Sequence, residues 1–134
     1  MAYMSQEKKK MLAPQIKAVL KKYGVKATIS VSHHSTLVVT LREGPFDIIA
    51  EYNKIAEEKG KYAASWYMDV NPYWIDDNHA GEIRDFLNEL KDAMNGKGAE
   101  VKNHNNSNPM TDYFDVGWYI RISVGRYDKP YKVI

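Results

Sequence analysis

Hydrophobic positions along this chain follow two periods, and the switches between them outline the elements. Leu12, Ile16, Val19, Leu20 and Tyr23 recur at helical spacing with lysines opposite. That pattern predicts an amphipathic helix, capped at its start by Ser5 and stopped by Gly24. Pro14 falls inside it, so a kink is expected there, or a short first segment before a main helix beginning near Ala13. From Lys26 the period drops to two. Ala27, Ile29 and Val31 alternate with Thr28, Ser30 and Ser32; Leu37, Val39 and Leu41 then alternate with Val38 and Thr40. Two such runs around a short polar link predict an antiparallel hairpin. The link lacks Asn-Gly or Asp-Gly, so a loop of about three to five residues is expected, with His33, His34 and Ser35 at its tip.

Gly44 breaks the second strand and Pro45 suits a first helical turn. Phe46, Ile49, Tyr52, Ile55 and Ala56 then form an apolar stripe that Gly60 ends. "WYMDVNPYWI" is aromatic and β-branched and predicts a third strand up to about Val70, which Pro72 keeps from continuing as a central one. Asp76, Asp77 or Asn78 is placed to cap the next helix. Its stripe of Ile83, Phe86, Leu87, Leu90 and Met94 is the clearest helical signal in the chain. Residues 95–111 form a polar connection with a short strand expected at Glu100 to Lys102. In the last strand, "YFDVGWYIRISVG", Trp118, Ile120, Ile122 and Val124 alternate with Tyr119, Arg121 and Ser123, and Gly117 signals a bulge or a close backbone approach. The order α-β-β-α-β-α-β predicts an α+β domain spanning residues 1–134. Three amphipathic helices would pack on one face of a mostly antiparallel sheet of three to four strands.

Composition narrows the chemistry. The 134 residues hold no cysteine, which excludes disulfides, thiolate zinc sites and thiol nucleophiles. No apolar run approaches the ~20 residues of a membrane span. The beginning "MAYMSQEKKKMLAPQ" has lysines without an apolar stretch behind them, so no secretory signal is expected and the cytoplasm is the expected location. A net charge of +2 hides an asymmetry. Residues 1–45 carry eight Lys/Arg against two acids, and residues 46–95 carry five against eleven. The basic first helix, with Lys21 and Lys22 near its end, is a candidate phosphate footprint and equally a solvated face.

No complete catalytic, cofactor or metal motif is present. If strand-like, His33 and His34 point to opposite sides, and their spacing matches no zinc pattern. Ser35 has neither a strained elbow nor an identifiable orienting acid. His79 begins H-x-x-E with Glu82, but Ile83 stands where a second ligand would be, so a polar helix start is the expectation. The segments around Asn71, Tyr73 and Trp74, and around Asp112, Tyr113, Phe114, Trp118 and Tyr119, hold more aromatics than one small core takes in. Some are therefore expected on an exposed binding patch. Asp112 is placed to cap a turn or, alternatively, to act as a general base.

Two stretches carry a family resemblance. "MSQEKKKMLAPQIKAVLKKYGVKATISVSHHSTLVVTLREGPFDII" and "MTDYFDVGWYIRISVGRYDKPYKV" resemble the large polyvalent protein-associated domain, number twenty-nine of that series, found in tailed phages and conjugative elements. The family's Asn-His-Ser-Thr type of tip reads His33, His34, Ser35, Thr36 here, and the first position departs from it. The resemblance implies an origin in a virus or mobile element and a setting of action on host machinery, with no reaction to carry over.

The expectation that follows is a small accessory protein that binds a host macromolecule without a cofactor or metal. Its binding residues would be Lys21, Lys22, His33, His34, Ser35, Thr36, Asn71, Tyr73, Asp112, Tyr113 and Trp118. A protein partner is favoured over nucleic acid because the net charge is low for a dedicated nucleic-acid binder. The alternatives are a nucleic-acid-binding protein, a hydrolase or nuclease using His34, His79 and Asp112, and a homo-oligomer that buries the aromatic patch.

Overall fold

A computed structural model describes residues 2–104 and 116–134. The described elements run α1 (Gln6–Tyr23), β1 (Lys26–Ser32), β2 (Thr36–Gly44), α2 (Ile48–Glu58), β3 (Met68–Val70), α3 (Ile75–Asn78), α4 (Gly81–Met94), β4 (Tyr119–Val124) and β5 (Lys132–Val133). The α+β class stands. In detail the described residues form four helices, one a single turn, and a mixed sheet of five strands in place of a mostly antiparallel sheet of three to four.

Ser5 caps α1 by accepting from the Lys8 backbone N–H, and Gly24 closes it in the left-handed region. The helix runs through Pro14 without a break. Pro14 sits on the solvent side, where water can satisfy the carbonyl that its missing N–H leaves free. Leu12, Ile16 and Leu20 face the core. The tyrosine that ends α1 ties it to α4: Tyr23 donates to Glu89 Oε2, and Lys22 Nζ donates to Glu89 Oε1 at 2.8 Å.

β1 and β2 form the expected hairpin, with Ser32 opposite Thr36 and a bulge where Lys26 pairs Glu43 and Ala27 pairs Leu41. The departure is in β4. It lies parallel to β2, from Thr36 opposite Tyr119 to Leu41 opposite Val124, while β3 pairs β4 antiparallel on its other side. The sheet order is β1-β2-β4-β3. A parallel neighbour needs a long crossover, and the helical stretch between β2 and β4 provides it. After Val124 the chain leaves the sheet, closes a small turn between Arg126 and Lys129, and returns as β5 beside Glu43 and Gly44. Buried Tyr131 anchors the return by donating to the Phe46 carbonyl at 2.9 Å. Gly44 leaves room for that hydroxyl, which a Cβ there would overlap.

One face of the sheet is apolar: Leu37, Val39, Leu41, Ile122 and Val124 are buried and join Leu12, Ile16, Phe86, Leu87 and Leu90 in the core. The other face carries Thr28, Ser30, Thr36, Thr40, Tyr119 and Arg121, on the opposite side of the two-residue alternation. There Asp69 accepts from Ser123 Oγ at 2.8 Å and from Arg121 at 3.1 Å.

Three further expectations are corrected. Asp76, Asp77 and Asn78 do not cap α4 but lie within α3. The chain breaks at His79 and Ala80, where the Glu51 carboxylate from α2 takes both groups: Oε1 lies 2.7 Å from His79 Nδ1, and Oε2 accepts from the Ala80 N–H at 2.7 Å. No side chain caps α4; a distant carboxylate holds the turn that leads into it. His79, read as a polar helix start, is 3% exposed and packs against Tyr52. Residues 100–102 form no strand; the segment turns back on the end of α4, with the Asn103 N–H donating to the Asn95 carbonyl at 2.9 Å.

Two tyrosines give the fold an alkaline limit. The Tyr23 hydroxyl is pushed up to about 12, first by its hydrogen bond to Glu89 and then by burial. Tyr131 is pushed up to about 12 by burial, with Asp47 and Glu43 adding to it. Above roughly pH 10 the unfolded chain loses these protons while the folded chain keeps them. Stability is therefore full below about pH 10 and declines as pH rises toward 12. Urea midpoints across that window are expected to fall in the wild type and to fall less steeply in Tyr23→Phe/Tyr131→Phe.

Candidate functional site

Three chain segments meet at one end of the sheet. β4 begins at Tyr119, opposite Thr36, where the β1–β2 hairpin turns. Because β3 runs against β4, its last residue, Val70, points toward that same end. Asn71, Pro72 and Tyr73 follow it and line a groove of about 710 Å³ with Asn95, Asn103, Trp118 and Tyr119. Tyr73 is 81% exposed and Tyr119 is 51% exposed, so two aromatic rings stand at the groove in water.

The groove wall depends on Asn103. Its Nδ2 donates to the Trp118 carbonyl and to Asn95 Oδ1, both at 2.9 Å. Its Oδ1 accepts from the Trp118 N–H at 2.9 Å and from the His104 N–H at 3.0 Å. Four bonds saturate a primary amide. Two of them take both backbone groups of Trp118, as a neighbouring strand would. The Trp118 ring is 2% exposed, and its Nε1 donates at 3.1 Å to the carbonyl of Met94, the last residue of α4. Helix ends leave such carbonyls without helical partners, and the indole supplies one. Gly117 is the expected close approach: a Cβ there would come within 2.6 Å of Asn103 Oδ1.

Two positions further on, β4 has no strand beside it on the β3 side. The Tyr119 N–H donates to the Ser35 carbonyl of the hairpin, so Ile120 turns its backbone groups the other way. The residue that extends β3 opposite Ile120 is Pro72, which has no N–H to give. β3 therefore stops at Val70, and the edge of Ile120 borders the groove.

The hairpin tip has an unusual backbone. His33 and His34 both have positive φ, 54° and 56°, and the Ser35 N–H donates to the Ser32 carbonyl at 3.2 Å. These signs match the tight turns that favour Asn-Gly, and histidine is among the side chains that tolerate them best. Both rings are exposed; the His34 carbonyl accepts from the Met4 N–H at 2.7 Å.

Of the residues singled out from sequence, the structure gathers His33, His34, Ser35 and Thr36 with Asn71, Tyr73 and Trp118 at this end. Trp118 contributes from inside the core and offers no exposed face. Lys21 and Lys22 lie at the other end of β1, roughly 20 Å away along the strand, and Lys22 is engaged with Glu89. Glu89 is held below the usual carboxylate range by Lys22 and then Tyr23. Asp112 and Tyr113 lie outside the described residues. His79 sits with Glu51 and Tyr52, in a contact network separate from that of His34.

Sequence reasoning passed over Asn103, which looked like one more loop asparagine, and Lys8. The Lys8 ammonium donates to the Tyr3 carbonyl at 3.1 Å and lies 5.5 Å from the ring centroids of Tyr3 and Trp118. A helical pattern marks Lys8 as solvated and carries no sign of the ring beside it. Among the described residues no three His, Asp or Glu side chains gather as metal ligands do, and no helix is long and apolar enough to cross a membrane.

Compared with known proteins, the chain matches no family model, no curated protein and no solved structure.

Three outcomes follow. Asn103→Ala removes four hydrogen bonds and is expected to cost about 2–4 kcal/mol in denaturant unfolding. Asn103→Asp, nearly isosteric, is expected to lose a similar amount because a carboxylate cannot donate to Trp118 and Asn95. At the tip, His33→Asn/His34→Gly relieves the positive-φ cost and is expected to raise stability by about 1 kcal/mol, or roughly 4 °C in Tm.

Proposed function

We propose that this chain is a binding module without catalytic activity of its own, and that it takes a protein partner at the hairpin-tip end of the sheet. The observation that carries the reading is the pair Tyr73 and Tyr119, both exposed in the lining of a groove whose wall residue Asn103 has its amide fully hydrogen-bonded. Exposed tyrosines are typical anchors of protein interfaces, because a large ring with few torsions is buried at little cost in side-chain freedom. A nucleophile with its base and orienting group would support an enzyme instead. His34 and His79, two of the three residues such a mechanism would draw on, sit in separate networks.

In the setting that the sequence resemblance implies, the module is an accessory protein of a phage or mobile element, and its partner is a host protein met in the cytoplasm. A second reading is a single-stranded nucleic acid stacked on Tyr73 and Tyr119. It draws on Lys8 and Lys91 near the groove, and on Arg121 beside Tyr119 on the open face. The two differ in salt response, since phosphate contacts weaken steeply with ionic strength.

The test is capture from host-type lysate by tagged wild type and by Tyr73→Ala/Tyr119→Ala, each with and without nuclease. A stoichiometric protein partner, resistant to nuclease and bound roughly tenfold more weakly by the double variant, is the expected result. Capture that nuclease abolishes moves the assignment to nucleic acid. A partner held equally by the variant removes the groove from the interface.

A further inference from the structure

The two edges of the sheet are treated differently. At one edge β3 is three residues long, is followed by Pro72, and carries Asp69 in a pair with Arg121. Shortness, proline and charge are the usual means by which an edge strand is kept from pairing with another chain. At the other edge β1 runs seven residues, KATISVS, with no proline and with Lys26 as its only charge, at one end. Among the described residues β1 pairs with β2 alone.

The backbone direction at that edge follows from the ladder. Leu41 turns its carbonyl toward β4, where it accepts from the Gly125 N–H, and Ser35 does the same toward Tyr119. The odd-numbered residues of β2 therefore face β4, and the even-numbered ones, Thr36, Val38 and Thr40, face β1. Their partners Ser32, Ser30 and Thr28 bond inward. Ala27, Ile29 and Val31 are left with their N–H and C=O groups pointing out of the sheet. Their side chains lie on the apolar face, packed against the core but only partly buried. Edge and apolar margin thus coincide in the same three residues.

We propose that β1 is a self-association edge, occupied by β1 of a second copy of this chain in antiparallel pairing centred on Ile29. A twofold axis through that point is the symmetry an antiparallel strand pair obeys. It sets Ile29 opposite Ile29 and Ala27 opposite Val31 of the second copy, so the two apolar margins continue one another. Thr28 faces Ser30, and Lys26 faces Ser32, so no like charges meet across the edge. Each of Ala27, Ile29 and Val31 exchanges both its backbone bonds, and the two sheets become one. A second copy fits this edge because its register is self-complementary in polarity, side-chain size and charge together. A strand pair alone is smaller than the standard stable interface, so the dimer forms by mass action at high protein concentration.

The test is sedimentation equilibrium of the purified chain over roughly 1–500 µM, with amide exchange followed by NMR at both ends of that range. The weight-average mass is expected to climb from 15.4 kDa toward twice that value. With it, the outward amides of Ala27, Ile29 and Val31 are expected to gain protection. Two surface variants read the register without touching the core. Thr28→Lys/Ser30→Lys sets lysines opposite one another at both symmetry-related positions and is expected to weaken the dimer roughly tenfold. Thr28→Lys/Ser30→Glu sets opposite charges there and is expected to restore or tighten it. A chain that stays monomeric at all concentrations overturns the proposal. So does an oligomer whose Ala27, Ile29 and Val31 amides exchange as freely as in the monomer, or one in which both charge variants behave alike.

Discussion

At the start of β4 a strand must join the sheet with a neighbour on one side only. The hairpin serves the Tyr119 N–H from the β2 side, but β3 reaches no further along β4 than Ile122. An unpartnered N–H and C=O beside a buried indole would each carry the penalty of a desolvated polar group. Asn103 removes both penalties with one amide, and its remaining donor and acceptor are taken by Asn95 and the His104 N–H. With Trp118 fixed, its Nε1 reaches the end of α4 and joins the helical layer to the sheet. The close packing at Gly117, the wall of the groove and the position of Tyr119 all follow from that anchorage.

The sheet consequently has two ends of different character. Where the hairpin turns, aromatic side chains and loop asparagines surround a concavity, and two histidines hold positive φ in water. Strain of that kind persists where the surrounding structure imposes it, and it concentrates at sites of recognition. At the far end, the close of α1 and the return at β5 are tied by Tyr23, Glu89, Lys22 and Tyr131. Tyr23 and Lys22 are engaged with Glu89, and Tyr131 with the Phe46 carbonyl, so the basic run that suggested a phosphate footprint is there partly a structural clasp. The proposed binding role draws on the concave, aromatic end and leaves the hydrogen-bonded far end to the fold.

How much of this was legible in the sequence depends on the range of the interaction. Period-two alternation placed Ile122 and Val124 inward and Tyr119 and Arg121 outward, because side-chain direction is a local property of the strand. Ser5 and Gly24 read correctly as caps for the same reason. Strand direction did not: alternation in residues 119–124 fits a parallel neighbour as well as an antiparallel one, and only the crossover decides. The break before α4 was hidden because Glu51 lies 28 positions before His79, and nothing in "DDNHAGE" signals a distant carboxylate. Pro72 told truly that β3 would be an edge strand. It did not tell that the missing N–H would open a groove beside Ile120, which needs the register of β4. At the site itself, Asn71, Tyr73 and the hairpin tip were visible as aromatic and turn chemistry. Asn103, which holds the wall, was not.

The central claim is that the Asn103 amide acts as a substitute strand for Trp118, and hydrogen exchange at single residues tests it most directly. The Trp118 backbone N–H and the Asn103 side-chain amide protons are predicted to exchange as slowly as the β4 amides paired to β2, through the same opening of the sheet. Exchange of either at the rate of an exposed loop, while the β4 amides stay protected, would contradict the account.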